Sequence, residues 1–262
     1  MERRLLAETG LQIPAFCLGT ASLHHVWSTG ARQRLIEAAV DIGMTHVDTA
    51  PYYGDGIAEA AIGRLPDHVR RRMTVSTKFG LYPRLGRTAS TARVAFRRAR
   101  SLILRRPRAP VVSFDTRIAA ASLEFSLRSL RRETVDLLLL HEPTVGSIDG
   151  HQLLHWLETC RKSGKLRAWG IAGERRCVSE VLEQRPELAP VLQTRMRKDA
   201  DQESPRLQPD ILYGCIRDLG PHATNVAVAA RLRSVSETHP RTSVLMSTTR
   251  IEHLRAVELA TS

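Results

Sequence analysis

Four residues have types and positions that suit proton transfer to a carbonyl: Asp48, Tyr53, Lys78 and His141. A phenol, with a reference pKa near ~10, is a poor acid at neutral pH unless something favours the phenolate. An ammonium group such as Lys78 does so, and a carboxylate such as Asp48 keeps that ammonium charged. A neutral imidazole at the fourth corner donates a hydrogen bond to a carbonyl oxygen without competing as an acid. Together these groups suit protonation of that oxygen while hydride arrives at carbon. Protein side chains offer no hydride, so this chemistry requires a nicotinamide.

The elements that must position these groups are short β-type runs ending on titratable residues. Thr45 runs into Asp48, Met73 into Lys78 and Val135 into His141. Parallel neighbours lie roughly 4.8 Å apart, so pairing in that order brings the three ends to one rim. Pro51 and Gly54 force a loop that returns Tyr52 and Tyr53 over the end of the first of these runs. Helical stripes at Arg32 to Ile42, Ile57 to Leu65, Thr116 to Leu130, Gly150 to Ser163, Arg176 to Gln184 and Val226 to Thr238 alternate with the strands. Further strands are expected at Ala15 to Leu18, Leu166 to Ile171, Val191 to Thr194, Ile211 to Cys215 and Val244 to Met246, with a last helix at Ile251 to Leu259. The alternation predicts parallel pairing with right-handed crossovers. Eight strands in about 250 residues predict an α/β fold of the (β/α)8 TIM barrel type, with its chemistry at the C-terminal strand ends.

The pattern predicts a single barrel domain over residues 1–262, preceded by an N-terminal β-hairpin around Gly10 and Pro14. It departs from a regular barrel twice. An Arg-rich insertion, 79–115, follows the third strand, with one amphipathic helix expected around Thr91 to Leu104; the segment between strands six and seven, Arg195 to Asp210, is shortened. The formal charge of +12 is carried mainly by arginine dispersed along the chain, with lysine only at 78, 162, 165 and 198. Dispersed arginine reads as composition rather than a nucleic-acid surface, and no recognition motif accompanies it. Cys17, Cys160, Cys177 and Cys215 are far apart, which suggests neither a zinc site nor a disulfide framework, so no metal is expected. No run of 18 apolar residues and no secretory leader is present, and a cytoplasmic protein is expected.

At this level of detail the chain resembles the aldo-keto reductases. The resemblance rests on Gly10 to Thr20 (GLQIPAFCLGT), Asp48 to Gly54 (DTAPYYG) with Glu59 and Ile62-Gly63, Ser76 to Gly80 (STKFG), Ser126 to Leu130 ahead of Val135 to His141, and Gly164 to Gly170 (GKLRAWG). It covers nearly the whole chain. It implies a (β/α)8 barrel that reduces an aldehyde or ketone with NADPH, NADH being the poorer cofactor, and a tetrad of Asp48, Tyr53, Lys78 and His141. The family spacing selects Tyr53 as general acid and leaves Tyr52 as a pocket wall. It further implies cofactor contacts at Gly19, Thr20, Gln193 (carboxamide), Tyr213 (stacking on nicotinamide) and Ser247, Thr248 and Arg250, where a helix start and a basic side chain would take the ribose 2′-phosphate.

Two departures from the family pattern stand out. Ala172-Gly173 replaces the usual Ser-Asn after strand five, and Ala256-Val257 replaces the Glu-Asn that follows the phosphate loop. They motivate an alternative, a nucleotide-sensing or scaffolding barrel acting through a partner. A third reading has the basic insertion binding polyanions. His24, His25 and Trp27 in the first βα loop and Glu142 beside His141 are further candidates for shaping a substrate pocket. The carbonyl compound itself and the oligomeric state are not encoded in these motifs.

Overall fold

The computed structural model describes residues 1–7, 9–84, 86–87, 109–196, 207–220 and 222–262. The helix expected around Thr91 to Leu104 and most of the segment from Arg195 to Asp210 lie outside these residues.

Two short strands, β1 (Arg3–Leu5) and β2 (Gln12–Pro14), pair antiparallel before the barrel begins. The barrel strands are β3 (Phe16–Gly19), β4 (His46–Asp48), β5 (Thr74–Phe79), β8 (Val135–His141), β9 (Leu166–Gly173), β10 (Leu192–Arg195), β11 (Ile211–Tyr213) and β12 (Ser243–Ser247). They close in that order, every pair parallel, with β12 returning to β3. This is the (β/α)8 barrel with an N-terminal hairpin that the strand and helix alternation predicts. The base of the basic insertion is a second small hairpin, β6 (Leu81–Tyr82) against β7 (Val111–Val112), so the insertion proper begins later than residue 79. Phe79 itself ends β5.

The helices start where their caps dictate. Ser28, Asp115, Asp149 and Thr224 each accept a backbone N–H of the first turn of Thr29–Asp41, Thr116–Leu130, Gly150–Lys162 and Asn225–Thr238, each cap stabilising its helix by about 1 kcal/mol. The last helix differs from expectation. Ile251–Leu254 form a 3₁₀ turn, preceded by a Thr248 Oγ1 that accepts the Arg250 N–H at 3.1 Å, and the α-helix runs only from Arg255 to Thr261.

Strand alternation divides the apolar residues into two cores. Outward residues such as Leu18, Val47, Val75, Leu138, Leu140 and Ile171 pack under the helices. Inward residues Cys17, Leu137, Leu139, Ala168, Ala172, Ile211 and Leu245 form a separate cluster that includes Leu6, Leu11 and Ile13 of the hairpin. The hairpin is therefore a plug for the N-terminal end of the barrel. Its three fully buried side chains each contribute about 1.5–3 kcal/mol. Arg4 fastens it from the side, donating to the carbonyls of His239 and Thr242 and to Ser236 Oγ. With that end closed, the opposite rim is the open one. No helix among the described residues is long and apolar enough to cross a membrane.

Candidate active site

At the open rim β4, β5 and β8 end side by side, with Asp48 paired to Ser76 and Lys78 to Leu139 in register. Asp48 and Lys78 are almost wholly buried, and Lys78 Nζ donates to Asp48 Oδ2 at 2.5 Å and to the Thr49 carbonyl at 3.1 Å. Ser76 Oγ donates to the other carboxylate oxygen at 2.8 Å. The tyrosine loop turns immediately after β4, and Gly54 takes the left-handed conformation (φ +61°). Any Cβ there would lie 2.4 Å from His24 Cβ, so both backbone and packing demand glycine. The turn sets the Tyr53 ring 4.8 Å from Lys78 Nζ and edge-on to His141, ring centroids 5.8 Å apart. The four residues meet as the strand ends predict.

Burial and charge act against each other here. Burial pushes the Lys78 ammonium towards losing its proton, but Asp48 and Tyr53 outweigh it, and its pKa lies above the ordinary value. For Tyr53 burial is the largest influence and raises the phenol, while Lys78 and its hydrogen bond pull it down. The net direction is upward, opposite to the simple expectation from an adjacent ammonium: the phenol keeps its proton at neutral pH, and Lys78 limits how far burial raises it. Burial, then Lys78, depress His141 to a pKa of about 3, so it is neutral at physiological pH. Its Nδ1 is buried without a hydrogen-bond partner among the described residues.

The histidine shift carries a stability consequence. A group whose folded pKa is lowered binds its proton more readily in the unfolded chain, so stability falls as pH drops below about 6.5. We expect His141→Gln to flatten the pH dependence of unfolding free energy by about 1.4 kcal/mol per pH unit between about pH 4 and 6. Urea unfolding of the two proteins across that range checks it, and equal slopes would refute it.

These residues line a cavity of about 490 Å³ together with Gly19, Gln193, Tyr213 and Ser247. A Cβ on Gly19 would fall 2.4 Å from Ser247 Oγ, so the lining at these two paired strand ends keeps a cleft that a side chain at residue 19 would fill. Gln193 is buried with Oε1 lacking a hydrogen-bond partner among the described residues. An unmet amide acceptor in the wall and a cleft that a Cβ would fill are what a carboxamide-bearing ring needs, so the residues present fit a nicotinamide.

Other expected residues lie elsewhere. Thr20 is buried outside the lining, where its N–H and hydroxyl both donate to the Asp48 carbonyl, at 3.0 and 2.9 Å. Thr248 and Arg250 also lie outside it: Thr248 caps Arg250, and the exposed Arg250 guanidinium is 3.7 Å from Glu252. Tyr52 is not part of the wall, and of the first βα loop Ala21, rather than His24, His25 or Trp27, lines the cavity. Ala256 and Val257 are fully buried core residues.

The lining also includes Glu142, a candidate from the sequence, and Arg195, which the sequence motifs did not mark. Glu142 sits in the left-handed region (φ +51°) and accepts the Glu174 N–H at 2.9 Å. Its Oε2 lies over Gly173, 2.7 Å from where a Cβ would stand. Burial raises its pKa, against the pull of the Glu174 N–H that it accepts. Arg195 pairs with Glu174 at 2.6 Å and faces the Tyr213 ring at 5.8 Å. Only adjacency to His141 marked Glu142 in the sequence; the strand β10 alternation, which sets Gln193 and Arg195 on one face, could have marked Arg195. A second hollow of about 460 Å³, between Glu124, Arg128, Arg131 and Lys165, contains none of the four central residues.

Comparison with known proteins agrees with this geometry. The family model described as Aldo/keto reductase family matches residues 15–194. The chain belongs to the aldo/keto reductase family. Among curated aldo/keto reductase relatives, the oxidoreductase YdhF of Escherichia coli is 30% identical over 177 residues, 66% of this chain and 53% of that protein. D-threo-aldose 1-dehydrogenase of a Pseudomonas species is 32% identical over 173 residues, 63% of this chain and 51% of its own length. The chain spans about half the length of the curated relatives it matches. Among solved structures, glycerol dehydrogenase from Gluconobacter oxydans superposes with a TM-score of 0.75 at 19% identity, covering 99% of this chain and 90% of that one. An aldo/keto reductase from Klebsiella pneumoniae, in complex with NADP and acetate, gives 0.68 at 19% identity with 99% and 90% covered. These likenesses carry the aldo/keto reductase fold, and the family is one of oxidoreductases.

Proposed function

We propose that this chain is an NADPH-dependent reductase of a small aldehyde or ketone, with Tyr53 as general acid. The observation that carries the reading is the buried Asp48–Lys78 pair, at 2.5 Å, set against Tyr53 and the neutral His141 around one cavity. A carbonyl oxygen held between Tyr53 and His141 receives the phenolic proton and a hydrogen bond from the imidazole. Lys78, kept charged by Asp48, stabilises the phenolate that Tyr53 leaves behind. Gln193 and the cleft at Gly19 would hold the nicotinamide, which when bound supplies the hydride to the carbonyl carbon.

Sugar carbonyls are the substrate class we favour. Similar proteins bear the names D-threo-aldose 1-dehydrogenase, 6-dehydroglucose reductase and L-galactose dehydrogenase. Arg250 supports NADPH over NADH, because its exposed guanidinium has, among the described residues, only the loose 3.7 Å contact to Glu252 opposing it.

The test is a titration of NADPH and NADH, read by fluorescence of the three tryptophans, followed by steady-state reduction of aldoses and small aldehydes. NADPH-selective binding and measurable turnover are expected. Binding of neither nucleotide would overturn the proposal and leave the scaffolding alternative; NADPH binding with no turnover of any carbonyl would leave a nucleotide-sensing barrel.

A further inference from the structure

The barrel lumen has one polar wall. His46 and Asp48 on β4 and Thr74, Ser76 and Lys78 on β5 share the inward face, with His46 opposite Thr74 and Asp48 opposite Ser76. His46 is completely buried, its Nδ1 2.8 Å from Thr74 Oγ1 and its Nε2 3.2 Å from Ser76 Oγ.

Proton positions along this wall follow from Asp48. The carboxylate takes Lys78 on one oxygen, so the other can only accept, and the Ser76 hydroxyl must donate to it. With its one hydrogen committed, Ser76 can only accept from His46, which fixes the ring proton on Nε2. Nδ1 is then bare and takes the Thr74 hydroxyl. Every donor in the column points towards Asp48, and Lys78 likewise donates to Asp48 and to the Thr49 carbonyl.

We infer that His46 and Ser76 are positioning residues, a column that locks the Asp48 carboxylate in the orientation that keeps Lys78 charged beside Tyr53. Without the Ser76 hydroxyl, one carboxylate oxygen loses a charge-assisted bond and the His46 N–H loses its acceptor. The carboxylate is then free to turn from Lys78, and burial, which already opposes the ammonium, gains on it. The groups facing Lys78 are Asp48 and Thr49 from β4 and the turn after it, Tyr53 from the loop, and the neutral rings of His46 and His141. Asp48 is the only anion among them. What Lys78 does for Tyr53 rests on the proposed function, whereas the link from Ser76 to Lys78 does not.

The chain has only four lysines, so ¹³Cε-lysine NMR yields four signals, with Lys78 assigned by its loss in Lys78→Met. We expect Ser76→Ala to lower the Lys78 titration midpoint by about one pH unit, Ser76→Thr to restore it, and the basic limb of kcat to move to lower pH with NADPH affinity unchanged. A Lys78 midpoint equal in Ser76→Ala and wild type overturns the inference. Should Ser76→Ala not fold, Ser76→Cys, with its weaker donor, makes the same comparison. If the wild type reduces no carbonyl, the proposed function falls, and the lysine titration still decides the column.

Discussion

Tyr53→Phe is expected to lower kcat by about 10²–10⁴-fold while leaving NADPH affinity within about twofold. The loss is chemical rather than structural. Phenylalanine keeps the ring, and with it the 4.8 Å approach of Lys78 and the edge-on packing on His141. Only the hydroxyl goes, and neither neighbour of the ring replaces it: His141 is neutral with a pKa of about 3, and Lys78 is buried and donates to Asp48 and Thr49. Water admitted to the space left by the oxygen is a much weaker acid than a phenol facing an ammonium. Single-turnover measurement with NADPH separates the two effects. A variant retaining more than a fifth of wild-type kcat would refute the role of Tyr53 as general acid.

The second large effect concerns stability. Asp48→Asn keeps the shape of the side chain but leaves the Lys78 ammonium, only 2% exposed, without a counter-charge. Breaking a buried pair by neutralising one partner costs about 3–5 kcal/mol, which for a chain of this length lowers Tm by about 10 °C. The amide also sets its Nδ2 against one of two donors, Lys78 or Ser76. The sign with pH can be worked out for Lys78. Its folded pKa lies above its ordinary 10.5, so its contribution is complete below about 10.5 and is lost as pH rises through the folded value. In the variant the largest influence on Lys78 is burial, which lowers its pKa, so the penalty should be full at low pH and shrink as pH rises through that lowered value. Adding Lys78→Met should recover at least half of it, because the double variant buries no charge. Denaturant unfolding of the single and double variants tests this, and a double variant no more stable than Asp48→Asn would refute it.

How much of this could be read from the chain depends on what fixes each feature. Strand ends were legible because alternation is a backbone property: Asp48, Lys78 and His141 share a face with the residues two before them, and parallel pairing does the rest. Gly54 was legible because a turn must follow Pro51 there. The hairpin of Leu81–Tyr82 with Val111–Val112 was not, since two-residue strands are too short to show a period. Thr20 illustrates a different limit. A motif says that a hydroxyl stands beside the site, but only packing shows that it is spent on the Asp48 carbonyl. Glu142 in a left-handed conformation has no signature at all, because glutamate does not favour that region and tertiary contacts, among them the Ala172 carbonyl and the Glu174 amide, hold it there. The terminal segment opens as a 3₁₀ turn over Ile251–Leu254 before its α-helix, a distinction one short stretch of periodicity does not carry.

The two walls of the lumen should drift differently over evolutionary time. The apolar wall of Leu137, Leu139, Ala168, Ile211 and Leu245 can exchange methyl groups among its members so long as the summed volume is kept. The wall of Thr74, His46, Ser76, Asp48 and Lys78 allows no such trade, because each member's proton is placed by the next. Descendants of this chain should therefore vary one wall piecemeal and the other only in concert.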